Sequence, residues 1–308
     1  MDHRYFLTGK RYGTRRSRVR WSLLVLLVTI VGCNRFGPGR MRHSTASVVR
    51  YFSNRGIGAF RLDTVYWDGR CVFRARTEAL SAPADSAPVF VFVHGSPGDL
   101  SNVLPFLADS LVRARGMAVG YDRPGYGHSD PAPVLSLRRQ AEALRTVWRD
   151  LPGRKILVAH SYGAPVAVQA AIDYPDEVGG LVLAGPVVHT VWRPRAWWRS
   201  RIAKPPLRWL VARPLLVSNA EMRALQTQLD SADLAWSQVR CPVLILQGWK
   251  DWLAVPSNAA YADSALIHAP SKTVQSFPDK GHFFFLTKPQ VVVAALTKWY
   301  DREMKGAH

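Results

Sequence analysis

Short apolar runs alternate with amphipathic segments along most of this chain, and this alternation restricts the possible folds more than any other feature. Residues 88–93 (PVFVFV) form a continuous apolar run, which is typical of a strand buried on both faces. Similar runs occur at residues 155–159, 178–184 and 242–246, and segments with helical spacing lie between them. The pattern predicts an α/β fold with a mostly parallel sheet and helices on both of its faces.

The full pattern predicts an eight-stranded doubly wound sheet. Two strand-like runs, residues 59–67 and 70–76, are joined by Asp68-Gly69, a pair typical of two-residue hairpin turns. The remaining strands are expected at residues 117–121 and 273–277. Helices are expected at residues 102–115, 136–151, 163–174, 257–267 and 289–304. The α/β core is therefore assigned to residues 56–188 and 241–308, and a hydrophobic content of 48% is sufficient to fill it.

One segment, residues 189–240, interrupts the alternation between the sixth and seventh strands. Its first half mixes Trp and Arg with Pro, and its second half has the spacing of an amphipathic helix from about Asn219. The segment is too short to be an independent domain and too long to be a plain loop. We therefore predict a helical cap, or lid, inserted between the sixth and seventh strands.

The first 32 residues have the organisation of an export signal. Basic residues precede an apolar run at residues 21–32 (WSLLVLLVTIVG), which is short for a permanent membrane span. Cys33 ends the sequence Ile-Val-Gly-Cys, which resembles the bacterial lipobox and implies lipidation of Cys33 after cleavage. An uncleaved signal anchor is the alternative. In both cases residues 33–55 form a tether and a first helix, and the core lies on the outer side of a membrane.

The net charge of +19 raises the question of nucleic-acid binding. Much of the basic excess lies in the predicted signal and in the cap, so we expect no nucleic-acid partner. In the cap, Trp and Arg together favour a membrane interface, where each surface cation gains roughly 1 kcal/mol near anionic lipid. A solvated basic face, with its Trp residues packed on the core, is the alternative.

A candidate nucleophile, Ser161, stands between a predicted buried strand and a predicted helix. The sequence around it is Ala159-His160-Ser161-Tyr162-Gly163. A sharp strand-to-helix turn presents a serine side chain at its tip, and only small residues tolerate the close contacts around it. Hydrolysis of an acyl bond needs such a hydroxyl, an imidazole that takes its proton, and donors for the oxyanion.

Four further segments follow other predicted strands. They are residues 94–98 (HGSPG), 122–129 (DRPGYGHS), 247–251 (QGWKD) and 279–283 (DKGHF). Together with residues 159–163, in which Ala stands for the first glycine of GxSxG, they resemble the motifs of the α/β-hydrolase family. The resemblance covers about residues 59–304.

The resemblance implies a role for each of these segments. Ser161 is expected to be the nucleophile, His282 the base, and Asp251 the acid that orients His282. The backbone amides of Ser96 and Tyr162 are expected to stabilise the oxyanion. No metal or organic cofactor is implied, and the sequence contains neither a Cys/His cluster with zinc spacing nor a glycine-rich phosphate loop.

Two other carboxylates compete with Asp251 for the role of the acid. Asp122 lies in the DRPGYGHS segment and is interpreted as a residue that ties down loop amides. Asp279 precedes His282 by three positions and is interpreted as a turn residue. His94 and His160 flank the predicted site, and we expect them to hold the turns in which they lie.

These features predict a serine hydrolase that acts on a small-molecule acyl substrate, a carboxylic ester above all. A serine nucleophile argues against dehalogenases and epoxide hydrolases of this fold, which use aspartate. A carbon–carbon bond hydrolase or a cofactor-free peroxidase with the same triad remains an alternative. So does a membrane-tethered binding or scaffold protein of the same fold.

Overall fold

The computed structural model of the protein describes residues 43–80, 87–188, 198–230 and 235–304. The predicted signal, the lipidation candidate Cys33 and most of the predicted tether lie outside these residues. Parts of the predicted cap, residues 189–197 and 231–234, also lie outside them. The hydrolase motifs proposed from the sequence all lie within them.

One sheet is formed by eight strands among the described residues. The strands are β1 Phe60–Trp67, β2 Arg70–Thr77, β3 Val89–Val93, β4 Met117–Tyr121, β5 Lys155–His160, β6 Val178–Ala184, β7 Val243–Gly248 and β8 Lys272–Phe277. Their order in the sheet is β1-β2-β4-β3-β5-β6-β7-β8. Strands β1 and β2 pair antiparallel, as do β2 and β4, and all other neighbours are parallel. This confirms the predicted mostly parallel eight-stranded sheet.

Eleven α-helices are present among the described residues. They are α1 Thr45–Ser53, α2 Leu104–Leu107, α3 Ser110–Arg113, α4 Leu137–Thr146, α5 Gly163–Asp173, α6 Trp198–Ile202, α7 Leu207–Leu210, α8 Arg213–Asp230, α9 Ser257–Ala265, α10 Phe284–Thr287 and α11 Pro289–Glu303. Short 3₁₀ helices occur at Leu100–Asn102 and Trp236–Gln238.

The hairpin between β1 and β2 turns at Asp68 and Gly69, which have φ angles of 50° and 71°. Positive φ at both central residues is the requirement of a type I′ turn, and its twist matches that of the strands. The prediction of a two-residue hairpin from Asp-Gly is therefore confirmed.

The two faces of the sheet bury two separate hydrophobic clusters, because successive side chains of a strand point to opposite faces. In β3, Val89, Val91 and Val93 belong to the first cluster, whereas Phe90 and Phe92 belong to the second. Helices α4, α5 and α9 cover the first cluster, and helices α1, α2, α3 and α11 cover the second. Continuous apolar runs such as PVFVFV thus reflect strands that are buried on both sides.

The helix predicted at residues 102–115 is broken into a 3₁₀ turn and the short helices α2 and α3. The break follows from Asp109, whose side chain accepts hydrogen bonds from the amides of Leu111 and Val112 and starts a new helix. Apolar spacing continues across the break, so periodicity alone could not reveal it.

Helices α6, α7 and α8 lie in the chain between β6 and β7. Helix α8 begins at Arg213, earlier than the start near Asn219 expected from the apolar spacing, since Pro214 is tolerated in a first turn. Leu225 of α8 is buried in the first hydrophobic cluster, and Met222 and Leu229 pack against it. Helix α8 therefore rests on the core. Among the described helices, none combines the length and the apolar character that a membrane crossing requires.

Candidate active site

The motif segments meet at one edge of the sheet because each follows the carboxyl end of a parallel strand. Ser161 follows β5, Asp251 follows β7, His282 follows β8, and Ser96 follows β3. Open α/β sheets gather their functional sites at this edge. The topology therefore brings together residues that are up to 186 positions apart in the chain.

Ser161 occupies a strained backbone conformation, with a φ angle of 55°. Its amide donates to the carbonyl oxygen of Ala184 at 3.0 Å, and helix α5 begins two residues later at Gly163. A Cβ atom on Gly163 would lie 2.7 Å from the carbonyl oxygen of Val93. Only glycine fits there, so this position allows the sharp strand-to-helix turn that presents Ser161.

Ser161, His282 and Asp251 form a continuous chain of hydrogen bonds. His282 Nε2 lies 2.9 Å from Ser161 Oγ, and His282 Nδ1 lies 2.7 Å from Asp251 Oδ2. The exposed fractions of the three residues are 4%, 5% and 3%, respectively. Because a carboxylate can only accept, the neutral tautomer of His282 that fits this geometry carries its proton on Nδ1 and leaves Nε2 to accept from the hydroxyl. This arrangement can take a proton from Ser161.

Both oxygens of Asp251 are engaged. Oδ1 accepts hydrogen bonds from the amides of Leu253 at 2.9 Å and Ala254 at 2.7 Å, while Oδ2 faces His282. The loop after β7 therefore fixes the carboxylate in one orientation. Gly185 (φ 51°) lies against this pair, and a Cβ atom there would lie 3.1 Å from Asp251 Oδ2 and 3.4 Å from His282 Nδ1.

The structure brings neither of the competing carboxylates to His282. Asp122 accepts hydrogen bonds from the amides of Leu100 and His128, each at 2.7 Å, and burial raises its pKa to about 6. Asp279 is largely exposed and forms an ion pair with Lys280. Asp122 thus ties down loop amides, in agreement with the interpretation of its motif.

His160 supports the backbone of His282. Its Nε2 lies 3.1 Å from the carbonyl oxygen of His282, and its ring stacks on Phe285 with 5° between the planes. Burial, together with the neighbouring His282, lowers the pKa of His160 to about 3. His160 is therefore neutral at physiological pH and acts as a hydrogen-bond donor to the turn that carries His282.

The two segments expected to hold the oxyanion flank Ser161. Tyr162 is fully buried and directly precedes helix α5, whose N-terminus carries a partial positive charge. On the other side, a Cβ atom on Gly95 would lie 3.1 Å from Ser161 Cβ. The backbone that leads into Ser96 thus passes close to Ser161.

Sequence reasoning missed a buried ion pair beside this site. Arg123 Nη1 donates to Glu221 Oε1 at 2.6 Å, and both side chains are fully buried. Glu221 lies on α8 between Val217 and Leu225, which are buried at the same four-residue spacing. A carboxylate inside an apolar helical stripe was the signal that could have identified Glu221 as a partner of a buried cation.

Among residues 43–80, 87–188, 198–230 and 235–304, no group of three or more His, Cys, Asp or Glu side chains is arranged to hold a metal ion.

Residues 90–295 match the model of the alpha/beta hydrolase family. The chain belongs to this family. It is 30% identical to the dihydrolipoyllysine-residue acetyltransferase component of an acetoin cleaving system from Cupriavidus necator, over 69% of its own length and 63% of that relative's length. It is 27% identical to the 2-(acetamidomethylene)succinate hydrolase of Mesorhizobium japonicum, over 70% of its own length and 89% of that of the relative.

Solved structures of other proteins share the α/β-hydrolase fold of this chain. A thermophilic esterase from Thermogutta terrifontis superposes with a TM-score of 0.58 at 20% identity, covering 79% of this chain and 98% of the esterase. At this level of identity the likeness supports the common fold and does not extend to the substrate.

Proposed function

We propose that this α/β hydrolase cleaves a carboxylic ester or a related acyl bond through an acyl-enzyme intermediate. The observation that carries the proposal is the hydrogen-bonded chain from Ser161 Oγ to His282 and on to Asp251, with spacings of 2.9 and 2.7 Å. Hydrogen-bond contact between a nucleophile and a base, with the base oriented by a third group, is the requirement for activating a serine hydroxyl.

In the first half-reaction, Ser161 Oγ attacks the carbonyl carbon while its proton passes to His282 Nε2. Asp251 holds His282 Nδ1–H and stabilises the imidazolium that forms. The backbone amides of Ser96 and Tyr162 donate to the carbonyl oxygen as it gains negative charge. The imidazolium then protonates the leaving alcohol, and the bond between carbon and that alcohol breaks.

In the second half-reaction, His282 takes a proton from water, and the resulting hydroxide attacks the acyl-enzyme. The proton returns to Ser161 Oγ as the carboxylic acid leaves. Atoms and charge balance without a metal or a redox partner, because every proton transfer uses the same imidazole.

A fluorophosphonate probe tests this proposal, since it reacts with serines that an adjacent base has activated. We expect the wild-type protein to be labelled and Ser161→Ala to remain unlabelled. Ser101→Ala is the matched control because Ser101 lies in the 3₁₀ turn after β3, where its hydroxyl bonds to Asp99. Absence of any Ser161-dependent label would overturn the enzyme assignment in favour of a binding or scaffold protein.

The type of bond that the enzyme cleaves is tested by comparing substrates of different classes. Rates on p-nitrophenyl esters of increasing acyl length, beside matched amides, lactones and carbon–carbon cleavage substrates, would separate an esterase from a hydrolase of another bond. We expect the esters to be the best substrates. Labelling at Ser161 with no hydrolysis of any ester would favour the carbon–carbon bond hydrolase or the peroxidase.

We also propose that the protein is exported and held at a membrane through a lipidated Cys33, with the inserted helices facing the lipid. Helix α7 supports this proposal because all four of its residues are exposed, with exposed fractions of 76% for Trp209 and 57% for Leu210. Arg208 and Lys204 beside them are also exposed. Exposed Trp and Leu next to cations are typical of surfaces that bind an anionic membrane.

Vesicle flotation tests the lipid contact with a soluble form that begins after Cys33. Binding is expected to vesicles of phosphatidylcholine with phosphatidylglycerol and to weaken in the double variant Trp209→Ser, Leu210→Ser. Tyr66→Ser, which alters an exposed aromatic residue on β1, is the matched control. Equal flotation with and without the anionic lipid, or with and without Trp209, would contradict the proposed surface.

A further inference from the structure

Arg123 lies directly behind the turn that leads into Ser96. Its Nη2 donates to the carbonyl oxygen of Gly95 at 2.9 Å, and its Nε donates to the carbonyl oxygen of His94 at 3.2 Å. The side chain is fully buried. A single guanidinium group therefore holds two successive carbonyl groups of the turn after β3 in place.

The contact at Gly95 bears directly on the Ser96 amide. The carbonyl of Gly95 and the N–H of Ser96 belong to one planar peptide group, so fixing the oxygen also fixes the direction of the N–H. A positive charge at the oxygen polarises the peptide and makes that N–H a stronger donor. Arg123 thus controls the orientation of the donor expected to stabilise the oxyanion.

His94 adds a second donor to the same oxygen. The backbone amide of Arg123 donates to His94 Nε2 at 3.0 Å, which leaves the ring proton on Nδ1. His94 Nδ1 lies 2.8 Å from the carbonyl oxygen of Gly95. Burial, together with the charge of Arg123, lowers the pKa of His94 to about 3, so the ring stays neutral at neutral pH and carries this single proton.

Glu221 holds Arg123 and Ser96 from the other side. In addition to the bond with Arg123, its Oε2 accepts hydrogen bonds from Ser96 Oγ and from Tyr126 Oη, each at 2.6 Å. Glu221 belongs to α8, an inserted helix, whereas its partners belong to the core. Ser96 is thereby fixed through both its preceding peptide group and its own side chain.

The same ion pair also reaches the second expected oxyanion donor. Gln140 Oε1 accepts from Arg123 Nη1 at 2.7 Å, and Gln140 Nε2 donates to Tyr162 Oη at 3.1 Å. Both residues that supply the expected donor amides, Ser96 and Tyr162, therefore belong to one buried polar network centred on the ion pair. Such a network is rigid only when all of its members are satisfied.

We propose that Arg123 and Glu221 are positioning residues that set the oxyanion hole, and that the seating of helix α8 on the core completes it. The proposal rests on the proposed acyl-transfer function. Glu221 contributes the negative charge that keeps Arg123 in place, so displacement of α8 would release the Gly95–Ser96 peptide. The insertion thereby contributes to the chemistry through a residue that does not touch the substrate.

If the Arg123–Glu221 ion pair only stabilised the fold, its loss would lower stability and would not alter the stabilisation of the oxyanion. Removing one partner of a buried ion pair destabilises a protein strongly, whatever lies beside it. The readout must therefore report on the oxyanion itself. In a thionoester, sulfur replaces the carbonyl oxygen of the ester. Sulfur accepts hydrogen bonds weakly, so an intact oxyanion hole favours the ester over the thionoester. The ratio of kcat/KM for an ester to that for its thionoester measures this preference.

Two variants carry the test. Glu221→Gln keeps the shape of the side chain and removes its charge, and the double variant Arg123→Met, Glu221→Leu removes both charges and leaves no unpaired buried ion. We expect kcat for the ester to fall about tenfold in the first and about a hundredfold in the second, with KM changed less than threefold. The ester-to-thionoester ratio is expected to fall by a similar factor.

Gln228→Leu is the matched control on the same helix. Gln228 joins α8 to the core through the amide of Leu137 at 2.8 Å and the carbonyl of Leu135 at 2.9 Å, and neither partner belongs to the Ser96 turn. We expect this variant to lower the melting temperature and leave the ratio unchanged.

An unchanged ratio in both test variants would overturn the inference and assign the ion pair to fold stability alone, even if kcat fell. A fall of the ratio in Gln228→Leu as large as in the test variants would overturn it as well. Absence of Ser161-dependent hydrolysis in the wild type would instead overturn the proposed function, and the inference with it.

Discussion

Replacing Asp251 with asparagine tests the proposed triad through the tautomer of His282. Oδ1 of Asp251 accepts two backbone amide hydrogen bonds, at 2.9 and 2.7 Å. An asparagine must place its carbonyl oxygen there, because its NH₂ group would otherwise face two N–H donors. Each buried donor left unsatisfied costs about 1–3 kcal/mol. The NH₂ group is therefore directed at His282 Nδ1.

An NH₂ group can only donate, so His282 Nδ1 must become the acceptor and the ring proton must move to Nε2. Nε2 then donates to Ser161 Oγ and can no longer take its proton. Loss of the correct tautomer in a serine triad lowers kcat by about 10⁴-fold, which corresponds to about 5.4 kcal/mol of activation free energy. We expect Asp251→Asn to lower kcat by about 10³- to 10⁴-fold with little change in KM.

The assay is the initial rate of p-nitrophenyl ester release across a range of substrate concentrations, which separates kcat from KM. Asp279→Asn is the matched control, since Asp279 is the competing acid in the sequence and forms a surface ion pair with Lys280. We expect it to retain wild-type kcat. Activity of Asp251→Asn within threefold of wild type, or a large loss in Asp279→Asn, would refute the assignment of the acid.

Two further predictions concern stability and packing beside the site. Burial lowers the pKa of His160 to about 3, so the folded protein favours the neutral form of His160. The stability that depends on this neutral form is fully present above the unfolded pKa of about 6.5 and is lost as the pH falls towards 3. From this single group we expect the free energy of unfolding to drop by about 2 kcal/mol between pH 7.5 and pH 5. In urea titrations, the drop in His160→Gln is expected to be smaller by that amount. A drop in the variant equal to that of the wild type would contradict the assignment. Gly185→Ala is expected to lower kcat about tenfold, because its Cβ atom would lie 3.1 Å from Asp251 Oδ2. Gly69→Ala is the control, with a φ angle of 71° and open space around the added atom, and should lose about 1 kcal/mol of stability at unchanged kcat. Equal kcat values for the two variants would contradict the packing argument.

The sequence by itself determined most of the strands, helices and turns, because the patterns that indicate them lie within short stretches of the chain. Apolar runs such as residues 88–93 identify strands that are buried on both faces, and Asp68-Gly69 identifies the hairpin. The turn around Ser161 was likewise identifiable, since a serine between small residues follows a buried strand and precedes a helix. The break between α2 and α3 was missed, because a side-chain cap by Asp109 does not disturb the apolar spacing.

Only the tertiary structure decided which distant residues meet. The sequence left Asp122, Asp251 and Asp279 as candidate acids, and the strand order brought Asp251 to His282. The pairing of Arg123 with Glu221 likewise joins residues 98 positions apart, on different structural elements. Hydrophobic periodicity reports the burial of a residue along its own helix or strand, whereas the partner of a buried charge depends on how separate elements pack together.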